Sequence, residues 1–240
     1  MNIEDKDFWV AELRRHLGRA KALRAEANAD PRLAEDRLRL RAWQAERLSA
    51  TYRDLLDSAR YHDAARFFLS DLYGPKDFSE RDHELERILP TLHATLPASG
   101  IRTVALAIEV DALSEELDAA LIAALRRAGA MDGLDAAAYA RAYPRAGHRQ
   151  ERERQLKLIG EVGESLAALT RKPLVSAALR LMRAPARLAG LAELHAFLDH
   201  GYRAFRKMGD PTEFLATIQR RERAILEQLY ASAARPFDLL

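Results

Sequence analysis

Residues 102–127 read RTVALAIEVDALSEELDAALIAALRR, and the spacing of their apolar side chains decides the fold class. At ~100° per residue, Leu106, Val110, Leu113, Leu117, Leu121 and Ala124 fall on one stripe, the core face of a helix. The opposite side carries Asp111, Glu115 and Asp118 in line with Val104, Ile108 and Ile122. A solvated face rarely ends in β-branched apolar residues. The flanks are alanine (Ala105, Ala112, Ala119, Ala123), which lets neighbouring helices approach closely. The pattern predicts a central helix contacted on more than one side. Asp111 and Glu115, one turn apart on a partly buried face, then need partners, because an unpaired buried carboxylate is strongly unfavourable.

The C-terminal region repeats the theme. Leu215, Ile218, Ile225 and Leu229 form an apolar stripe with Glu222 in its middle. A glutamate there is either tethered to an arginine across the bundle or part of a polar cavity. Upstream, Leu191, Leu194, Leu198, Tyr202 and Phe205 share a face that His195 borders.

Punctuation between the periodic segments is that of helices. Asp30-Pro31 reads as a cap followed by proline at the first helical position. Tyr73-Gly74-Pro75 ends one helix and Asp77-Phe78-Ser79-Glu80 reads as a capping box that opens the next. Pro97-Ala98-Ser99-Gly100, Tyr143-Pro144-Arg145-Ala146-Gly147 and Arg171-Lys172-Pro173 are further breaks. Gly209-Asp210-Pro211-Thr212-Glu213 combines a glycine stop, an aspartate cap and a proline. Between residues 128 and 150 the pattern weakens to a loop around a short helix. No strand alternation is present, and Gly160 and Gly163 lie inside a helical pattern, as needed for close helix packing. The expectation is an all-α, single-domain irregular bundle of about eight to ten helices spanning 1–240.

Composition narrows the function classes. The 240 residues are 48 % apolar and 31 % charged, with a net charge of +2. Basic runs such as Gln219-Arg220-Arg221-Glu222-Arg223 are interrupted by acids, so neither nucleic acid nor a membrane is expected as a partner. Cysteine is absent, which excludes disulfides, thiolate metal sites and cysteine nucleophiles. The acidic, polar start Met1-Asn2-Ile3-Glu4-Asp5 is unlike a secretory signal, and no apolar run approaches ~18 residues. A bacterial cytoplasmic protein is expected. Gly-x-Gly-x-x-Gly, Walker, Gly-x-Ser-x-Gly and His-Glu-x-x-His patterns are all absent. No helix supplies the Glu-x-x-His of carboxylate-bridged metal sites, so neither metal nor cofactor is expected.

The densest polar and aromatic segment is Phe67-Phe68-Leu69-Ser70-Asp71-Leu72-Tyr73-Gly74-Pro75-Lys76-Asp77-Phe78-Ser79-Glu80-Arg81-Asp82. Arg81, one turn into the new helix, is placed to reach a carboxylate such as Asp111 or an anionic ligand. Together with Trp43 to Tyr52, Asp111 to Asp118 and Phe205 to Glu222, this segment resembles an uncharacterised proteobacterial all-helical family with an FFLxxLYGPxDFxxRD motif. That resemblance covers most of the chain and implies a helical fold, but it brings no catalytic residue. Leu69 to Gly74 also resembles the glycine-bearing distal helix of heme oxygenases, without a matching proximal histidine. The leading expectation is a non-enzymatic binding or protein-interaction module, paired with a second copy or another protein through an exposed apolar helix face. The competing class is a helical enzyme or small-ligand carrier, heme-oxygenase-like or of carboxylate-metal type. Its polar pocket would be lined by Tyr73, Arg81, Asp111, Glu115, His195 and Glu222.

Overall fold

Asp5 and Asp30 open the first two helices alike, each carboxylate accepting an amide hydrogen bond from the first turn, Phe8 N at 3.1 Å and Arg32 N at 2.9 Å. They precede α1 (Lys6–Ala29) and α2 (Pro31–Thr51) of a computed structural model that describes residues 5–72 and 79–238. Short α3 (Arg53–Asp57) and α4 (His62–Phe67) follow, the latter running into a π-helical turn, Phe68–Leu72. Then come α5 (Ser79–Thr95), α6 (Ala98–Arg127), α7 (Ala136–Ala146) and α8 (Arg149–Thr170). The chain closes with α9 (Pro173–Leu188), α10 (Ala192–Met208) and α11 (Thr212–Tyr230).

Among the described residues there are eleven α-helices and no strand. The all-α reading therefore holds, with one helix beyond the expected range. The addition comes from α3 and α4, whose five and six residues are too few to show a helical period. The corner Tyr73-Gly74-Pro75 and the capping box led by Asp77 lie outside the described residues.

Most of the punctuation acts as read. Asp210 Oδ1 accepts from Thr212 N at 3.1 Å beside Gly209, whose φ of 79° ends α10. Pro173 is the first residue of α9. Two boundaries move. α6 begins at Ala98 instead of Arg102, because Pro97 is extended and leads directly into the helix. α7 continues through Pro144 and stops at Ala146, where Gly147 turns into positive φ.

α6 is the hub. It packs most extensively on α1 and also touches α8, α7 and α2. Leu106, Leu113, Leu117, Leu121 and Ala124 are buried as the stripe requires. So are Ile108 and Ile122 on the opposite side, since α1 and α2 cover the face that would otherwise be wet. Each fully buried leucine here contributes roughly 1.5–3 kcal/mol by leaving water. Gly160 and Gly163 bring α8 close to α11. A Cβ on Gly163 would collide with the Leu215 side chain, and one on Gly160 with the Gln219 amide.

Candidate functional site

The acidic line of α6 meets arginines from three other helices. Arg24 of α1 is 1 % exposed. It donates to Asp82 and, at 2.5 Å, to Asp111, with its Nε 3.0 Å from Glu115. Arg37 and Arg41 of α2 donate to the same Glu115 oxygen at 2.9 and 2.5 Å. Arg41 Nε also lies 3.6 Å from Asp118, whose other oxygen accepts from Gln44 at 3.0 Å. From α5, Arg81 is 3.2 Å from Asp111 and 3.6 Å from Asp82. Four guanidinium groups thus face four carboxylates in one dry network, and their charges balance.

The titration tendencies follow from burial set against these neighbours. Burial pushes the Asp82 carboxyl up to about 6 although Arg24 opposes it. For Asp111 burial also acts upward, but Arg81 and Arg24 outweigh it and hold the group below the usual carboxylate range. Asp118 is raised, its desolvation exceeding the help from Arg41. Arg37 is lowered by burial and by the adjacent Arg41.

A second assembly lies around α11. Glu222 Oε1 accepts from Arg47 at 2.6 Å and from the Tyr52 hydroxyl at 2.9 Å. Both alternatives read for this glutamate hold at once, because the pair also lines an interior cavity of about 120 Å³. The polar wall includes Arg47, Tyr52, Asp118, Arg152, Gln155 and Glu222. Leu48, Phe68, Phe214 and Ile225 are among the apolar groups. Tyr139, stacked on Trp43 with centroids 4.2 Å apart, and its neighbour Tyr143 form another side. Burial raises both phenols, so they remain neutral near physiological pH.

Arg152 sets this cavity apart. It is 6 % exposed, donates from Nη2 to the backbone oxygen of Leu117 at 3.1 Å, and stacks over the Tyr143 ring at 4.6 Å. Among the described residues no carboxylate lies within 4.0 Å of it. Asp118 is near enough to feel its charge, but is already held by Arg41 and Gln44. Arg47, paired with Glu222, also has its Nε buried without a hydrogen-bond partner.

Of the six residues expected at one site, Arg81, Asp111 and Glu115 come together in the dry network. Glu222 sits at the cavity instead. His195 joins neither. It faces α9, with Nε2 2.8 Å from the Leu179 carbonyl oxygen. Tyr73 lies outside the described residues. The acids that a carboxylate metal site would use are met by arginines, and among the described residues no group of three His, Asp or Glu side chains is placed to hold a metal ion.

Sequence reasoning missed Arg24, Arg37, Arg41, Arg47 and Arg152. A signal existed for two of them. Arg24 continues the α1 stripe Val10, Leu13, Leu17, Ala20, and Arg152 precedes Leu156, Ile159 and Gly163 at helical spacing. A long cation in an apolar stripe reads as a side chain snorkelling to water; here neighbouring helices close off the exit.

Large exposed apolar side chains concentrate on α9, where Leu181 is 76 % and Leu188 91 % exposed, with Met182 beside them. No described helix is long and apolar enough to cross a membrane. A family model described as a domain of unknown function, DUF8198, matches residues 23–236. No curated protein and no solved structure matches the chain.

Proposed function

Because the chain belongs to the DUF8198 family, whose description assigns no activity, its role has to be argued from its own side chains, and we propose that it is a non-enzymatic binding module that holds a small ligand in the interior cavity. The observation that carries this is Arg152: a buried guanidinium beside about 120 Å³ of space, with a carbonyl and a ring for company and, among the described residues, no carboxylate within 4.0 Å. A buried charge without a partner is unfavourable enough that chains seldom retain one without a use. The acids one would recruit for proton transfer are tied into ion pairs with Arg24, Arg37, Arg41, Arg47 and Arg81, which supports binding over catalysis. The volume is well below the ~300–1,000 Å³ of sites for drug-sized molecules, so the occupant has only a few heavy atoms.

The test is an NMR titration of the isotopically labelled protein with fragment-sized compounds. The expected outcome is that at least one compound shifts the resonances of Tyr139, Tyr143 and Arg152, and that Ala65→Leu, which fills the cavity wall, abolishes the response. Shifts confined to surface residues would overturn the reading.

A different observation favours a second, interaction role for α9. Its exposed leucines sit in residues 171–209, which carry eight basic and two acidic side chains in a chain of net charge +2. Charge complementarity points to an acidic protein partner rather than a second copy, since like-charged faces repel. Sedimentation at low salt is expected to give a monomer. A dimer that tightens as salt is removed would overturn the acidic-partner assignment.

A further inference from the structure

Ion pairing around α6 and the cavity leaves one buried guanidinium with no carboxylate within 4.0 Å among the described residues. Arg24, Arg37, Arg41 and Arg81 are balanced by Asp82, Asp111, Glu115 and Asp118, and Arg47 by Glu222. Arg152 remains, at the wall of the cavity. We infer that the cavity is a binding site for a small monocarboxylate, its anionic head on Arg152 and its short apolar body against the aliphatic and aromatic walls. This deepens the cavity reading above and rests on it.

Four features select that chemistry. The guanidinium to be met carries a single positive charge, which one carboxylate matches and a doubly charged phosphate exceeds. A guanidinium is planar and presents paired N–H groups that match a carboxylate's two oxygens. A second cation lines the same cavity: Arg47, whose Nε, like that of Arg37 in the dry network, is buried without a hydrogen-bond partner, and Tyr139 lies within electrostatic reach of both Arg47 and Arg152. The remaining wall, with Leu48, Phe68 and Ile225, suits methyl or methylene groups. An apolar hollow of ~150 Å³ accommodates a benzene ring, so about 120 Å³ fits a branched chain of a few carbons or at most a small ring. The Arg152 contact to Leu117 O and its stacking on Tyr143 hold the guanidinium in place before the anion arrives, which lowers the ordering cost of binding.

Calorimetric and NMR titrations with three probes test this: isobutyrate, its neutral isostere isobutyramide, and benzene. Isobutyrate is expected to bind the wild-type protein about tenfold or more tightly than isobutyramide, in keeping with a charge-assisted hydrogen bond. Arg152→Met is expected to abolish that preference while benzene binding persists. If isobutyramide and benzene bind and isobutyrate binds no better, the carboxylate assignment is overturned and the cavity reading stands. A preference retained in Arg152→Met would overturn the role given to Arg152. No response to any of the three overturns both readings. The wild-type comparison of acid with amide needs no variant, so a poorly folding Arg152→Met leaves the inference falsifiable.

Discussion

Two arginine environments border the same central helix and differ in two respects. Around Asp111 and Glu115 every buried guanidinium faces a carboxylate; at Leu117, less than a turn away, Arg152 contacts a carbonyl oxygen and an aromatic ring, with no carboxylate within 4.0 Å among the described residues. The first arrangement is closed. It satisfies its own charges, and a buried network of that kind is a poor place for a ligand because any occupant must first break it. The second holds a guanidinium with no close carboxylate among the described residues, and a volume beside it. The contrast teaches that burial of polar groups does not mark a binding site; imbalance among them does.

Removing one carboxylate from the closed network should break the comparison most strongly. Glu115→Ala leaves Arg24, Arg37 and Arg41 short of a shared partner, at an expected cost of about 3–5 kcal/mol. Thermal unfolding should then shift down by roughly 10 °C for a chain of this size. An unchanged midpoint would show that water reaches the network. Glu222→Ala is the intermediate case. Its side chain is 15 % exposed and that of Arg47 14 %, so the orphaned guanidinium can be hydrated from the cavity, and a loss of about 1–3 kcal/mol is expected from chemical denaturation.

A pH series sharpens the difference further. With its folded-state value near 6, above that of an unfolded aspartate, Asp82 takes up its proton more readily in the folded protein. Its contribution to stability therefore rises as pH falls from about 6 toward about 4, and is constant outside that window. Asp82→Asn lacks this gain. The stability of the variant relative to wild type should be highest at pH 7 and decline toward pH 4.5, and the opposite trend would mean that Arg24 dominates over burial. The smallest effect is expected at the open site. Arg152→Met replaces an unbalanced buried charge with a side chain of similar reach and should change stability by less than about 1 kcal/mol. A loss as large as that of Glu115→Ala would show that Arg152 is already satisfied, and would remove the case for a ligand.

Much of the fold was legible. The alternation of apolar stripe and acidic line in residues 102–127 announced a helix covered on two sides, and α1, α2, α7 and α8 cover it. The two glycines of α8 announced close packing, and α11 supplies the neighbour. The candidate residues were less legible. Arg81, Asp111 and Glu115 met as their positions suggested, whereas Glu222 belongs to another assembly and His195 turns to a backbone carbonyl of α9. The cavity had no sequence signature, because its wall draws on α2, α4, α6, α7, α8 and α11 together.

By itself the sequence determined that this chain is helical, where most of its helices start and stop, and that several acids would be carried inward and need company. Those properties rest on contacts three or four residues apart, which a helix imposes wherever it sits. Arg81 and Asp111 apart, which arginine answers which acid was decided only by the tertiary structure. Arg24 finds Asp82 and Asp111 across 58 and 87 positions, and Arg152 finds no close acid among the described residues. Pairings over such distances follow from how helices are laid against one another, and side-chain charge acts through space, not along the chain.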